Sequence, residues 1–335
     1  MNPALDTLMR HFSGSDALAV PSRTLFLGAE PHPDLAAWTD LTGWQPIKHR
    51  AEAWDRAGLR RIDELPEGRW PVVLVLPGKS RDEILASFAL ARDRLEPGGH
   101  LVAALSNATG AGRFEKTLAK ATGAVRSLQK NKCRAFAATE GGDWDEALFA
   151  EWRALTEPRT IPGTDYTTRA GLFSSEHIDP GSQMLVDHLP DHLGGRVADL
   201  GAGWGFLSAE ALQRAPRIRS IDLFEADARA LDRAKENLRG DPRAAFHWHD
   251  VVHGLPGTYD HILMNPPFHT GQATRIDLGK AFIQAAAGSL RRGGTLHLVA
   301  NRQLPYEAAL EAAGLTFRRV AENKTYKLIF AEKRG

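Results

Sequence analysis

The amino-acid sequence predicts an α/β protein of two tandem domains that arose by duplication, the first of them degenerate. Three observations predict it. The C-terminal half alternates short apolar runs with segments of helical spacing, which argues for a parallel sheet wound on both faces. The N-terminal half repeats part of that plan in the same order. The length, 335 residues, suits two domains better than one.

In the C-terminal half, "RVADLGAG" (196–203) reads as a strand that breaks into glycines, and "FLSAEALQRA" (206–215) as the following helix. "IRSIDLFEAD" is a second strand, and "ARALDRAKENLRG" a helix ending on Gly240, as helices often do. "AAFHWHD", "YDHILMN" and "TLHLVAN" supply further strands, with "GKAFIQAAAGSLRRGG" as the helix before the last of these. "FRRVAEN" and "YKLIFAEK" close the chain as a strand pair with the look of an antiparallel hairpin.

The N-terminal half echoes this series. "TLFLGAE" answers "VADLGAG", and "WPVVLVLPGKS" answers "YDHILMNPPFH". "RDRLEPGGHLVAALSN" answers "AGSLRRGGTLHLVANR", and "SLQKNKCRAFAA" answers "RVAENKTYKLIFA". The copies differ where chemistry would sit: Gly203 and Gly205 are met by Glu30 and His32, and Asn265-Pro266-Pro267-Phe268 by Pro77-Gly78-Lys79-Ser80. The first copy keeps the strands and loses the loops. The expected division is a degenerate domain over 1–150, a linker over 151–168 that is rich in turn residues near Pro158–Thr168, and a catalytic domain over 169–335.

Composition sets the outer limits. The chain is 43% hydrophobic and 25% charged, ordinary for a soluble globular protein, and carries a net charge of +1, so any basic surface is local. Its one cysteine, Cys133, excludes an internal disulfide framework and fits a reducing cytoplasm, the expected location. "MNPALDTLMRHF" lacks the basic and apolar regions of a signal peptide, and no apolar run approaches the roughly 20 residues that span a bilayer. Neither a membrane partner nor a metal site is expected.

"DLGAGWGF" sets Gly201, Gly203 and Gly205 between a strand and a helix, where glycine permits a sharp turn and close approach of a ligand. A dinucleotide fingerprint would place its third glycine at Phe206, so the spacing departs from the nicotinamide pattern. Glu225 ends the next strand about twenty residues further on, where a carboxylate accepts both ribose hydroxyls of a nucleoside. Asp222 reads as mid-strand. Asp250 closes the following strand, placed either to accept from an adenine amino group or to cap a helix. Asp199 precedes the glycines, where it would meet an ammonium, order the loop or sit satisfied in the core. With no Walker lysine, this set fits S-adenosylmethionine better than a phosphate-rich cofactor.

"ILMNPPFHTG" (262–271) ends a buried strand on two prolines, neither of which donates to a sheet ladder. One reading is a rigid turn capped by a core Phe. The other is chemical. A conjugated amino group is a poor nucleophile because its lone pair is delocalised. The side-chain oxygen of Asn265 and the carbonyl of Pro266, set on its two N–H bonds, would draw it toward tetrahedral geometry. Pro266 and Pro267 stiffen that backbone, and Phe268 offers a face on which a planar base can stack.

Together "DLGAGWG", "FEAD" and "NPPF" resemble the class I S-adenosylmethionine-dependent methyltransferases, a Rossmann-like fold, that act on exocyclic or amide nitrogens. Within them, "GLFSSEHIDPGSQMLVDHL" and the degenerate first copy resemble the bacterial small-subunit ribosomal RNA guanine-N2 methyltransferases. The resemblance implies two tandem Rossmann-like methyltransferase domains. It implies cofactor binding by Gly201, Gly203, Gly205, Glu225 and Asp250, and a target amine held by Asn265, Pro266 and Phe268. Asp179 and Pro180 look like a helix start, and Phe173 and Ser174 either close over cofactor or target or pack the loop.

Between residues 113 and 134, Arg113, Lys116, Lys120, Arg126, Lys130, Lys132 and Arg134 face one acid, Glu115. This segment is a candidate grip on RNA phosphates, with a solvated helix face as the plainer reading. Arg291, Arg292, Arg318 and Arg319 are further candidates in the second copy. The expected partner is ribosomal RNA, free or within the subunit. Methylation of a protein glutamine amide or of another nucleic-acid amine, and a non-catalytic RNA-binding assembly factor, are the competing functions.

Overall fold

The computed structural model describes residues 2–15, 17–266 and 272–334, and only the backbone of 272–275. The chain forms two compact units, Met1–Pro158 with Arg169–Gly171, and Arg159–Thr168 with Leu172–Gly335. The stretch expected to be a linker contains the end of a helix of the first unit and a short antiparallel pair, Arg159–Thr160 with Thr167–Thr168, of the second.

The first unit contains α1 (Pro3–Met9), β1 (Thr24–Leu27), β2 (Leu41–Trp44), α2 (Lys48–Arg56), β3 (Arg60–Ile62) and β4 (Trp70–Val75). It continues with α3 (Arg81–Arg92), β5 (Leu95–Ser106), α4 (Ala111–Thr122), β6 (Arg126–Lys130), β7 (Cys133–Thr139) and α5 (Glu146–Ala154). After the short pair β8 (Arg159–Thr160) and β9 (Thr167–Thr168), the second unit holds α6 (Pro180–Asp187), β10 (Gly194–Leu200), α7 (Phe206–Arg214), β11 (Arg217–Glu225), α8 (Ala228–Asn237) and β12 (Ala244–Trp248). It ends with β13 (Tyr259–Met264), α9 (Gln272–Ser289), β14 (Leu290–Asn301), α10 (Glu307–Ala312), β15 (Leu315–Glu322) and β16 (Tyr326–Lys333).

Among the described residues each unit has a seven-stranded sheet. The orders are β3-β2-β1-β4-β5-β7-β6 and β12-β11-β10-β13-β14-β16-β15, the same path taken twice. The first five strands of each order pair in parallel and the last two pairings are antiparallel, so the closing hairpin expected from sequence is present in both. β1 and the second half of β10, Val197–Leu200, are central and buried on both faces, which is why they read as largely apolar. The helix expected over 279–294 stops at Ser289, and Leu290–Gly294 open β14 instead. There Gly293 takes φ +69° beside a shift in the β13–β14 register, a bulge that glycine admits and a helix would not.

The register corrects one match between the copies. Leu200 pairs with Met264 as Leu27 pairs with Val75, so Gly28 (φ +73°) corresponds to Gly201 (φ +72°). Leu76, not Pro77, therefore stands where the second unit has Asn265, and Pro77 stands at Pro266.

Candidate functional site

The path of the second sheet reverses between β10 and β13, and the crevice beyond the C-terminal ends of such strands is where ligands bind in open α/β sheets. Both the glycine turn and Asn265 leave the sheet there. Gly201, Gly203 and Gly205 all have positive φ, the left-handed region that costs other residues most. A side chain at Gly205 would strike Leu238 and Ala234 of the neighbouring helix segment, whereas Gly203 faces open space. That openness is what close approach of a ligand requires.

Glu225 ends β11, and one of its oxygens accepts from the Gly203 N–H at 2.8 Å while the other accepts from the Asp227 N–H at 2.8 Å. Loss of solvent pushes its carboxyl up to about 7, although these amides favour the charged form. Asp222 does lie mid-strand, against His247 and Arg196. Asp250 caps a short 3-10 turn by accepting from the Val252 N–H at 3.1 Å, the capping alternative read from sequence. Asp199 is fully buried. Its Oδ2 accepts from the Ser208 hydroxyl at 2.7 Å, tying the turn to α7, while Oδ1 has no hydrogen-bond partner. Burial pushes this carboxyl to about 7 as well.

Gly201, Gly203, Trp204, Phe173, Ser174 and Asn265 line one pocket with Asp179 and Ser182. The Trp204 indole donates to the Phe173 carbonyl at 3.1 Å, which holds that loop against the glycine turn. Ser174 takes φ +51°, and its hydroxyl donates to the His177 carbonyl. The open Gly203 face and the adjoining carboxylate on β11 fit the nucleoside end of S-adenosylmethionine.

Asn265 is buried directly after β13. Its Nδ2 donates to Asp179 Oδ2 at 2.9 Å and to Ser182 Oγ at 2.7 Å, and its Oδ1 has no partner among the described residues. Asp179 also caps α6 by accepting from the Ser182 N–H at 2.8 Å, and its Oδ1 accepts from the Tyr326 hydroxyl at 3.4 Å. Sequence reasoning found Asp179 as a cap and missed it, with Ser182, as a partner of Asn265, because 86 and 83 residues of chain separate those pairs. Pro266 is buried, and Pro267 and Phe268 lie outside the described residues.

In the first unit Arg113, Lys116 and Lys120 follow one exposed face of α4 and line an open cleft of about 690 Å³ with Arg81, Arg134 and Glu151. Arg134 pairs with Glu115 at 2.6 Å. Lys130 and Lys132 sit apart from this cleft on the β6–β7 hairpin, whose turn residues Asn131 and Lys132 have positive φ. Three of the arginine candidates in the second unit are engaged internally: Arg291 with Asp260, Arg319 with Glu307 and Glu322, and Arg318 over the Phe330 ring. Among the described residues no group of His, Cys, Asp or Glu could hold a metal ion, and no helix is long and apolar enough to cross a membrane.

A sheet of this order, with a pocket at its switch point, is the architecture of the class I methyltransferases. The family model described as "Methyltransferase small domain" matches residues 163–330. Ribosomal RNA small subunit methyltransferase C of Shewanella sp. (strain MR-4) is 30% identical over 270 residues, spanning 79% of this chain and 78% of that protein. Its counterpart in Shewanella baltica (strain OS155 / ATCC BAA-1091) is 29% identical over 272 residues, spanning 80% and 78%. The chain belongs to the ribosomal RNA small subunit methyltransferase C family. The fold agrees across both units: the T. thermophilus 16S rRNA N2 G1207 methyltransferase, solved in complex with AdoMet and guanosine, superposes with a TM-score of 0.82 over 99% of this chain and 92% of that one, at 24% identity.

Proposed function

We propose that this protein transfers a methyl group from S-adenosylmethionine to the exocyclic N2 amino group of a guanine in small-subunit ribosomal RNA. The observation that carries the reading is the Asn265 amide, whose two N–H bonds are used within the protein and whose oxygen, buried and without a partner among the described residues, belongs to the pocket beside the glycine turn. An acceptor held in this way suits an amine and not a carbonyl.

When bound, the cofactor supplies an electrophilic sulfonium methyl. Glu225 accepts from the ribose hydroxyls, the turn at Gly201–Gly205 admits the nucleoside against bare backbone, and Asp250 stands at the adenine side. Asn265 Oδ1 and the Pro266 carbonyl accept from the two N–H bonds of the guanine amine; the stacking role that the family resemblance implies for Phe268 falls outside the described residues. These contacts orient the amine and return its lone pair to nitrogen, and the surplus proton leaves to solvent after transfer. Positioning and electrostatics carry the step. The first unit, without the glycine turn or the amide, serves as scaffold and RNA grip through Arg113, Lys116, Lys120 and Arg134, with Lys130 and Lys132 as a separate contact.

The test is methyl transfer from labelled S-adenosylmethionine to small-subunit ribosomal RNA, free and within the subunit, followed by nucleoside analysis. N2-methylguanosine is the expected product. Label confined to a protein glutamine, or to another nucleoside, would overturn the assignment, and absence of label would favour a non-catalytic role.

A further inference from the structure

The second unit holds a polar cluster that the first, on the same fold, has replaced. Asp179, Ser182, Asn265 and Tyr326 meet at the end of β13. Their counterparts follow from helix placement and sheet register. α1 and α6 each start on a capping residue followed by proline, and α1 packs on β5 and β7 as α6 packs on β14 and β16. Asn2 thus matches Asp179, and Leu5 matches Ser182. Ser106 pairs with Cys133 as Asn301 pairs with Tyr326, so Cys133 matches Tyr326, and Leu76 matches Asn265. Leu5, Leu76 and Cys133 are buried members of one hydrophobic cluster. The architecture therefore closes this spot with apolar side chains and keeps its N-cap without a carboxylate.

Retaining a carboxylate, a hydroxyl and an amide here, with one amide oxygen buried and unpaired, opposes stability. A side-chain amide has two ends of nearly equal size, and rotation by half a turn exchanges acceptor for donor. In this site the exchange is blocked. A flipped Asn265 would turn its oxygen toward Asp179 Oδ2, which only accepts; the Ser182 hydroxyl, able to donate or accept, anchors the amide while Asp179 selects its orientation. The negative charge on Asp179 also draws density through the amide and makes Oδ1 a better acceptor.

We infer that Asp179 and Ser182 are positioning residues for methyl transfer: they hold the Asn265 amide with its oxygen, and not its nitrogen, presented to the target amine. The inference rests on the functional reading above. It also assigns the "DPGS" segment a part in the reaction beyond starting a helix.

The experiment compares the full-length wild type with Ser182→Ala, Asp179→Ser and Asp179→Asn, measuring kcat and KM on ribosomal RNA, cofactor Kd by calorimetry and Tm. Ser182→Ala leaves the cap intact, and Asp179→Ser caps the helix with a side chain too short to reach the amide as well. Each is expected to lower kcat by about tenfold to a hundredfold, with cofactor Kd and Tm near wild type. Asp179→Asn keeps an oxygen for both the Ser182 N–H and the Asn265 amide, so it is expected to recover most of the rate lost in Asp179→Ser. In an Asn265→Ala background, measured in single turnovers, Ser182→Ala is expected to add no further loss, because its effect passes through the amide. Wild-type kcat in Ser182→Ala and Asp179→Ser, full additivity with Asn265→Ala, or an Asp179→Asn as slow as Asp179→Ser overturns the inference. A wild type that labels no ribosomal RNA overturns the functional reading itself, which separates the two failures.

Discussion

The Gly203 N–H donates to Glu225 at 2.8 Å, joining the glycine turn after β10 to the carboxylate that ends β11. This bond ties the turn to the proposed ribose acceptor, so the charge on Glu225 bears on both. Glu225→Gln, which replaces one acceptor with a donor, is expected to weaken S-adenosylmethionine binding by about tenfold or more. With its carboxyl at about 7, wild-type affinity is expected to rise as pH increases through neutrality, since only the ionised form accepts from both hydroxyls. Calorimetric titrations between pH 6 and 8 check this, and the Gln variant should lose the dependence.

Asp199 acts on stability through the opposite balance. Its folded carboxyl titrates at about 7 because burial disfavours the charge, whereas the unfolded chain releases that proton near the ordinary carboxylate value of about 4. Between those two values the folded state binds more protons, so this group's contribution is fully present below the lower one and is lost as pH rises through the upper. Asp199→Asn mimics the protonated form and keeps an oxygen for Ser208. The Tm of this variant minus that of wild type is expected to increase from acid to pH 8, and a difference independent of pH would contradict the assignment.

Asn265→Ala removes the proposed acceptor for the target amine, and the hydrogen bonds it deletes run to Asp179 and Ser182 and not to the glycine turn. It is expected to lower kcat by about 10²–10³ or more while cofactor Kd stays within a few fold. Equal loss of cofactor binding would move Asn265 to the other subsite.

The cleft beside α4 calls for a charge test. Arg113→Glu, Lys116→Glu and Lys120→Glu together are expected to weaken ribosomal RNA binding, with cofactor Kd and Tm unchanged. If three phosphate contacts are lost, the slope of log affinity against log salt should shrink by about 2 to 3. Lys130→Glu with Lys132→Glu, on the separate hairpin, is expected to weaken binding less. Filter binding across a salt series distinguishes the two, and an unchanged slope in the triple variant would exclude the cleft.

Much of this molecule was legible along the chain. The mostly apolar run ending in Leu200 and the glycines beyond it marked both the central strand and its loop, because a strand buried on both faces keeps few polar positions, here the buried Asp199. The closing hairpin, Leu315–Glu322 with Tyr326–Lys333, and the repeated sheet path were legible as well, from two adjacent strand-like runs and from the matching order of the copies. Other readings failed where a local signal has two solutions. The segment Leu290–Gly294 carries helix formers up to its glycines, and only a bulge against β13 made it strand. At Asp250 the two readings are compatible: one oxygen caps a 3-10 turn, and the proposed role toward adenine does not use that bond.

The sequence by itself determined the order of elements, the strand ends at which chemistry could sit and the residue types available there, since backbone preference and apolar period act over a few neighbouring residues. Tertiary structure alone decided which way the Asn265 amide faces. That choice depends on Asp179 and Ser182, which lie more than 80 residues away along the chain and reach Asn265 only after α6 packs on β14 and β16. The apolar counterparts at Leu5 and Leu76 mark the difference between a sheet that merely folds and one that also holds an acceptor in place.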